Sequence, residues 1–104
     1  MSLRITYHEL ARADLYDAWS WYEEREPGLG DRVIRAVDAA LDRVSKWPNS
    51  GSPTIKVDGE VAERRVGTTG FPYLVRYRIV DDTILVTAIY HQGRHPDYGS
   101  DRPL

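Results

Sequence analysis

Imidazole, guanidinium and phenol groups concentrate in the second half of this sequence, around the end of its most apolar run. His91 ends that run, Arg94 and Tyr98 follow it, and Arg65 and Arg76 precede it. Cleavage of RNA without a metal needs a group that accepts the 2′-hydroxyl proton, cations beside the phosphate and an acid for the leaving oxygen. Histidine suits proton transfer near neutral pH, and arginine suits phosphate binding. His91 is therefore the candidate acid or base, the three arginines are candidate phosphate ligands, and Tyr98 could stack on a base or relay a proton.

Each of these residues also has a structural interpretation that the sequence leaves open. His91 could simply be hydrogen-bonded at the end of a strand, and Arg65 could pair with Glu63 or with a helix carboxylate. Arg76 could be a solvent-facing strand residue, and Tyr98 could serve only to pin the C-terminal tail.

No cofactor or metal site is expected from the sequence. The chain has no Cys that could supply a thiolate ligand. His91, His95 and Asp97 are spaced so that they could approach a metal, but no helix fixes their geometry and no fourth ligand is evident. His95 is instead the second candidate for proton transfer, after His91.

Alternation of residue types predicts the strands that lead to this region. In residues 71–80 aromatic and aliphatic side chains share one face, while Arg76 and Arg78 lie on the other. This period of two is typical of a half-buried strand. The polar residues 81–83 can turn the chain. Residues 84–90 are almost entirely apolar, which indicates an inner strand that is covered on both faces.

Two amphipathic helices are predicted before these strands, over residues 8–25 and 31–47. The short connection between them predicts an antiparallel hairpin. At roughly 100° per residue, Trp19 and Trp21 lie on opposite flanks of the first helix's apolar stripe. Both could pack internally, one on the sheet and one on the second helix. Alternatively, one is left for a protein partner, because Trp is favoured at the centres of interfaces.

The remaining segments complete a single α+β domain over residues 1–104. Residues 3–7 and 61–66 are predicted strands, residues 48–59 are the longest predicted loop, and the tail over residues 93–104 is expected to be irregular. The predicted order is β-α-α-β-β-β: a short N-terminal strand, then an antiparallel helical hairpin packed on a C-terminal antiparallel β-sheet.

Composition restricts the classes of function. The formal net charge is −2, so no overall field attracts the chain to nucleic acid. Twelve of the 14 basic residues are Arg, which favours bidentate contacts with phosphate or carboxylate. No apolar run approaches the roughly 20 residues of a membrane span, and the N-terminus lacks a signal-peptide pattern. A cytoplasmic location is expected.

The order and spacing of several motifs resemble the RelE/ParE superfamily, the small toxins of bacterial type II toxin–antitoxin systems. The resemblance covers nearly the whole chain, and no single motif is decisive. The motifs are Ala11-x-x-Asp14-Leu15, Trp21-Tyr22-Glu23, Gly28-Leu29-Gly30-Asp31-Arg32, Pro48, Arg64-Arg65, Phe71-Pro72-Tyr73 with Tyr77, and His91-x-x-Arg94-x-Pro96-x-Tyr98.

The resemblance implies a toxin that arrests growth, that is silenced by a cognate antitoxin, and whose complex binds operator DNA through that antitoxin. RelE-like members cut mRNA on the ribosome, whereas ParE-like members poison DNA gyrase and have no nuclease site. Gly99 departs from relatives that often carry Trp there, which removes an anchor or a stacking surface. The sequence does not decide between a ribosome-dependent endonuclease and a gyrase inhibitor. The negative net charge counts against the first, because RNA binding depends on neutralising phosphates.

Overall fold

The computed structural model describes residues 2–102, which form two helices and five strands. The elements are β1 (Arg4–Tyr7), α1 (Glu9–Arg25), α2 (Leu29–Lys46), β2 (Ser52–Val57), β3 (Glu60–Gly67), β4 (Tyr73–Val80) and β5 (Thr83–His91). A short first strand, a helical hairpin and a C-terminal sheet thus follow one another, which confirms the predicted α+β fold.

All five strands form one sheet in the order β1-β5-β4-β3-β2. β5 pairs antiparallel with β4 along its length and parallel with the short β1, so its predicted inner position is confirmed. β1 reaches only as far as the pair formed by Tyr7 and Val86. Beyond Val86, the outer edge of β5 has no strand beside it in residues 2–102. The Ile89 amide on that free edge is therefore available to a side chain from another element.

The prediction of a long loop over residues 48–59 is wrong, because β2 lies within it. β2 pairs antiparallel with β3 through a hairpin whose turn residues, Asp58 and Gly59, both have positive φ, at 52° and 82°. An Asp-Gly pair in that conformation is a strong hairpin turn. The sequence did not predict β2 because the pairing of this edge strand is irregular on either side of Ile55 and because Pro53 interrupts its alternation of residue types.

The hydrophobic core lies between the helices and one face of the sheet. Its buried members are Ala11 from α1, Val37, Leu41 and Val44 from α2, Val75 and Tyr77 from β4, and Ile84, Val86 and Ile89 from β5. On the opposite face the C-terminal tail crosses β5 so closely that a Cβ on Gly99 would lie 2.5 Å from the Ala88 Cβ. β5 is therefore covered on both faces, as its apolar composition predicts.

The helical hairpin is held by polar contacts at its closed end. The Glu23 carboxylate accepts hydrogen bonds from the Gly28 and Gly30 amides at 2.8 and 3.0 Å, and so caps the start of α2. The Trp19 indole N–H donates to Asp31 at 2.9 Å. These contacts fix how α1 lies against α2. Within residues 2–102, neither helix is both long enough and apolar enough to cross a membrane.

Candidate functional site: an aromatic cleft beside the C-terminal tail

A cleft of about 380 Å³ opens between α1, the end of β5 and the tail. We call it the aromatic cleft. Its chemically distinctive lining residues include Asp14, Asp17, Trp21, Tyr73, His91, Arg94 and Tyr98. His91, Arg94, Tyr98 and Trp21, which the sequence singles out, therefore line one cavity. The other three predicted residues, Arg65, Arg76 and Trp19, do not line it.

His91 is the last residue of β5, and it lies exposed at the mouth of the cleft. Its ring meets that of Tyr73, the residue opposite it on β4, at a centroid distance of 5.7 Å. The His91 Nδ1 accepts a hydrogen bond from the Gly93 amide at 2.9 Å. Because Nδ1 acts as the acceptor, the proton of the neutral ring lies on Nε2. Gly93 permits this turn, since a Cβ there would lie 3.1 Å from the same nitrogen.

Arg94 brings a cation to the tail side of the cleft. Its guanidinium lies 4.8 Å from the centroid of the Tyr98 ring, a distance that allows a cation–π contact. Among residues 2–102, no carboxylate forms an ion pair with it. Arg94 is thus positioned by an aromatic face while its charge stays available to a partner.

Trp21 forms the α1 side of the cleft and is 49% exposed. The Arg25 guanidinium covers one face of the indole at 3.4 Å and also donates to the Trp21 carbonyl. The Tyr22 ring packs edge-on against the indole at 4.8 Å. A large aromatic surface is therefore presented to solvent in a fixed orientation.

Asp14 holds the tail against this wall, in a set of contacts that sequence reasoning missed. Its carboxylate accepts from the Ile89 amide at 3.0 Å, on the edge of β5 that β1 leaves free. It also accepts from the Tyr98 hydroxyl at 2.6 Å and from the Arg102 guanidinium. We call Asp14, Tyr98 and Arg102 the Asp14 clamp. The sequence did contain a signal for these contacts. Asp14 places a carboxylate beside Ala11 and Ala18 on the buried stripe of the helix, where it needs hydrogen-bond partners.

The clamp also changes the chemistry of Tyr98. Burial raises the pKa of its phenol, and the hydrogen bond to Asp14 and the charge of that carboxylate raise it further. The pKa of Arg102 is raised too, chiefly by its hydrogen bonds to Asp14. Arg102 additionally donates to the Thr87 carbonyl at 2.9 Å. The Tyr98 hydroxyl is therefore occupied and remains protonated at neutral pH, and its position is fixed by a buried carboxylate.

Arg76 lies on the opposite face of the sheet, because its neighbours Val75 and Tyr77 both point into the core. It is 2% exposed and forms an ion pair with Glu63, which is 1% exposed. Its guanidinium also donates to the carbonyl of Pro96 in the tail. Arg76 is thus enclosed between the sheet and the tail, with a carboxylate and a carbonyl as its partners.

Arg65 shares that face of the sheet. It lies opposite Arg76 in the pairing of β3 with β4, and it donates to the Tyr90 hydroxyl at 3.4 Å. His95 and Asp97 lie exposed on the tail, where the His95 Nδ1 accepts from the Asp97 amide at 3.1 Å. Across residues 2–102, no three acidic or imidazole side chains gather as a metal ion would require.

Trp19 belongs to a second cavity, of about 440 Å³, on the other flank of α1. We call it the Trp19 groove. It is lined by Tyr7, Arg12, Leu15, Tyr16, Trp19 and Ile34. The Tyr16 ring stacks on the Trp19 indole at 5.9 Å, and the bond to Asp31 fixes that indole. The two tryptophans therefore line two separate cavities, on the opposite flanks of α1 that their helical positions predict.

Comparison with known proteins points to one family. Residues 5–96 match the sequence model described as the ParE toxin of the type II toxin–antitoxin system parDE. The chain is 31% identical over 98 residues to Toxin ParE2 of Mycobacterium tuberculosis H37Rv, which covers 93% of this chain and 89% of that protein.

Two solved structures share the fold. The chromosomal ParDE toxin–antitoxin system from P. aeruginosa matches with a TM-score of 0.70 and 15% identity, over 86% of this chain and 96% of that one. The toxin–antitoxin complex RelBE2 from Mycobacterium tuberculosis matches with a TM-score of 0.59 and 18% identity, over 88% and 99% of the two chains.

Proposed function

The chain belongs to the ParE toxin family of type II toxin–antitoxin systems, and we propose that it arrests growth by binding DNA gyrase. It acts as a protein ligand of its target and performs no bond-breaking chemistry of its own. The aromatic cleft is the surface that meets the target.

The observation that carries this proposal is the burial of Arg76 within the sheet. A nuclease of the predicted kind needs guanidinium groups that can reach a phosphate. Arg76 is instead buried and bound by Glu63 and the Pro96 carbonyl. The Tyr98 hydroxyl is likewise used by Asp14. These contacts favour binding over catalysis, because breaking a buried ion pair to admit a substrate costs several kcal/mol.

The side chains that remain available suit a protein interface. Trp, Tyr and Arg are the residue types that most often dominate binding energy at interface centres. Trp21 is half exposed, and Arg94 has no ion-pair partner within residues 2–102. Both are held in place, one by Arg25 and the other by Tyr98, so little conformational entropy is lost when they bind.

We assign the Trp19 groove to a cognate antitoxin, which holds the toxin inactive and carries the complex to operator DNA. The ParDE and RelBE2 structures that share this fold are toxin–antitoxin assemblies. The groove is largely apolar, and the stacked rings of Trp19 and Tyr16 line it. An amphipathic segment binds such a groove with its apolar face.

The test is a supercoiling assay with purified gyrase and increasing amounts of the purified chain. Inhibition at micromolar concentration is expected. Trp21→Ala should weaken it at least about 30-fold, since interface tryptophans contribute about 2 kcal/mol or more. Trp47→Ala is the matched control, because Trp47 is 68% exposed at the end of α2, outside the cleft. Full supercoiling at every concentration, from a chain that is folded, would refute the proposal.

Ribosome-dependent cleavage of mRNA is the second candidate function. It is favoured by one observation: His91 and Arg94 line the same cleft as Tyr98. Primer extension on a reporter transcript, after induction of the chain, detects new 5′ ends. Their appearance with the wild type and their loss in His91→Ala would establish the nuclease and displace the gyrase proposal.

A further inference from the structure

The aromatic cleft combines three kinds of recognition group within one cavity. Its walls carry the exposed indole of Trp21 and the rings of Tyr73 and Tyr98. Its volume of about 380 Å³ lies within the range of small-ligand sites, at the lower end. Aromatic walls of this kind bind planar rings by stacking, whatever the identity of the ring.

The tail side of the cleft carries the groups that would bind an anion. Arg94 brings a guanidinium that no carboxylate of residues 2–102 neutralises. His91 adds a donor, since its Nδ1 is occupied by the Gly93 amide and its Nε2 carries the proton of the neutral ring. A guanidinium with a neighbouring N–H donor is a suitable pair for a phosphate group.

The α1 side carries the opposite charge. Two carboxylates line it: Asp14, which is paired with Arg102, and Asp17, which is exposed and forms no ion pair within the described chain. The Asp17 carboxylate accepts hydrogen bonds and cannot donate them. A purely anionic ligand would be repelled by Asp17, and a purely cationic one by Arg94. A ligand that satisfies both charged groups and the aromatic wall has an anion at one end, a planar ring in the middle and N–H donors at the other end.

We propose that the aromatic cleft binds one nucleotide whose base carries an exocyclic amino group. The phosphate lies against Arg94 and His91, the base lies against the aromatic wall formed with Trp21, and the amino group donates to Asp17. Cytosine presents such a donor, whereas thymine presents a carbonyl acceptor that a carboxylate repels. The inference concerns the same cleft that the proposed function assigns to gyrase. Its test uses nucleotides and the purified chain alone, so the two proposals can fail separately.

The experiment is a titration of the purified, isotope-labelled chain followed through its indole N–H resonances. Addition of dCMP should shift the Trp21 signal and leave those of Trp19 and Trp47 in place. dTMP should bind about tenfold more weakly, in line with the discrimination of a base-edge contact. Asp17→Asn should remove that preference for dCMP.

Two further variants distinguish a direct contact with the phosphate from a general effect of removing a positive charge. Arg94→Ala should weaken dCMP binding at least about tenfold, as expected for a charge-assisted hydrogen bond. The same change should leave binding of deoxycytidine, which has no phosphate, unaltered. Lys56→Ala, which removes a cation from the exposed edge strand β2, should change neither affinity.

A comparison of dCMP with a short oligodeoxycytidine shows whether the natural ligand is a free nucleotide or part of a strand. Binding of either one through Trp21 and Arg94 supports the site. Tighter binding of dCMP indicates a free nucleotide, and tighter binding of the oligonucleotide indicates a strand. The proposal is overturned if no Trp21 shift appears at up to about 10 mM nucleotide. It is also overturned if inorganic phosphate alone reproduces the shift, or if gyrase protects the cleft while no nucleotide perturbs it.

Discussion

At the scale of single residues, one carboxylate joins three parts of the molecule. Asp14 is 8% exposed, and it bonds to the free edge of β5, to Tyr98 and to Arg102. It compensates for the shortness of β1, because it supplies an acceptor where a neighbouring strand would otherwise provide one. The same contacts hold Tyr98, and with it Arg94, beside the cleft.

Replacing that carboxylate should therefore affect stability and tail order together. We expect Asp14→Asn to lower the free energy of unfolding by about 3 kcal/mol, because Arg102 would be left without its buried counter-charge. Urea denaturation measures the loss, and hydrogen exchange of residues 93–102 reports the loosening of the tail. Asp17→Asn, an exposed neighbour on the same helix, is the control. Equal stability of the two variants would contradict the clamp.

Tyr7 gives a pH dependence at the same scale. Burial, with a smaller contribution from the negative charge of Asp38, raises its pKa from 10.0 to about 12. The folded chain thus holds the phenol proton more tightly than the unfolded chain. The stabilisation is complete below pH 10 and is lost as the pH rises towards 12.

We expect the free energy of unfolding to fall over that interval, and to fall less steeply in Tyr7→Phe. Denaturant unfolding at several alkaline pH values measures both slopes. Tyr16→Phe is the control, because Tyr16 is 65% exposed. If Tyr7→Phe and the wild type lose stability in parallel, Tyr7 is not responsible for the pH dependence.

At the scale of elements, regular periodicity could be predicted and irregular pairing could not. The helices, β4 and β5 all follow simple repeats, so the sequence places them to within a few residues. β2 was not predicted because a bulge and Pro53 obscure the alternation of its residue types. Asp58 and Gly59 were the available signal, since an Asp-Gly pair between two strand-like runs favours a hairpin.

A substitution in the turn between β2 and β3 tests whether the Asp58-Gly59 pair determines the hairpin. Gly59→Ala should destabilise the hairpin by about 1–2 kcal/mol, because φ of +82° is unfavourable for a residue with a Cβ. Gly67→Ala is the matched control, since a Cβ there meets only Leu74, at 3.8 Å. Hydrogen exchange of the β2 amides should rise in the first variant alone. Equal exchange in both variants would show that the turn conformation does not limit the hairpin.

Site residues were predictable to the extent that neighbours in sequence stay neighbours in space. His91 ends β5, Arg94 and Tyr98 follow it in the tail, and successive turns at His91–Arg94 and His95–Tyr98 bring them to the same cleft. The surroundings of Arg76 depend on Glu63 in another strand and on Pro96 in the tail, so its burial could not be predicted from alternation. Long-range packing decides whether a strand arginine is available or structural.

At the scale of the whole molecule, α1 separates two surfaces. The aromatic cleft lies on its Trp21 flank, and the Trp19 groove lies on the other. We propose that the cleft contacts the target and that the groove contacts the antitoxin. The two functions should therefore respond to different substitutions.

Co-expression with the antitoxin tests that separation in cells. Trp19→Ala should remain toxic and should escape neutralisation, because its antitoxin contact is weakened while the cleft is intact. Trp21→Ala should lose toxicity and should still bind the antitoxin in a pull-down. Loss of both properties in either variant, with the fold preserved by circular dichroism, would show that the surfaces are not independent.

The most direct test of the central claim is the affinity of the purified chain for purified gyrase, measured by calorimetry. The wild type and Trp19→Ala should bind with micromolar or tighter affinity, and Trp21→Ala should bind at least about 30-fold more weakly. Absence of binding by the folded wild type, or equal affinities for all three proteins, would contradict it.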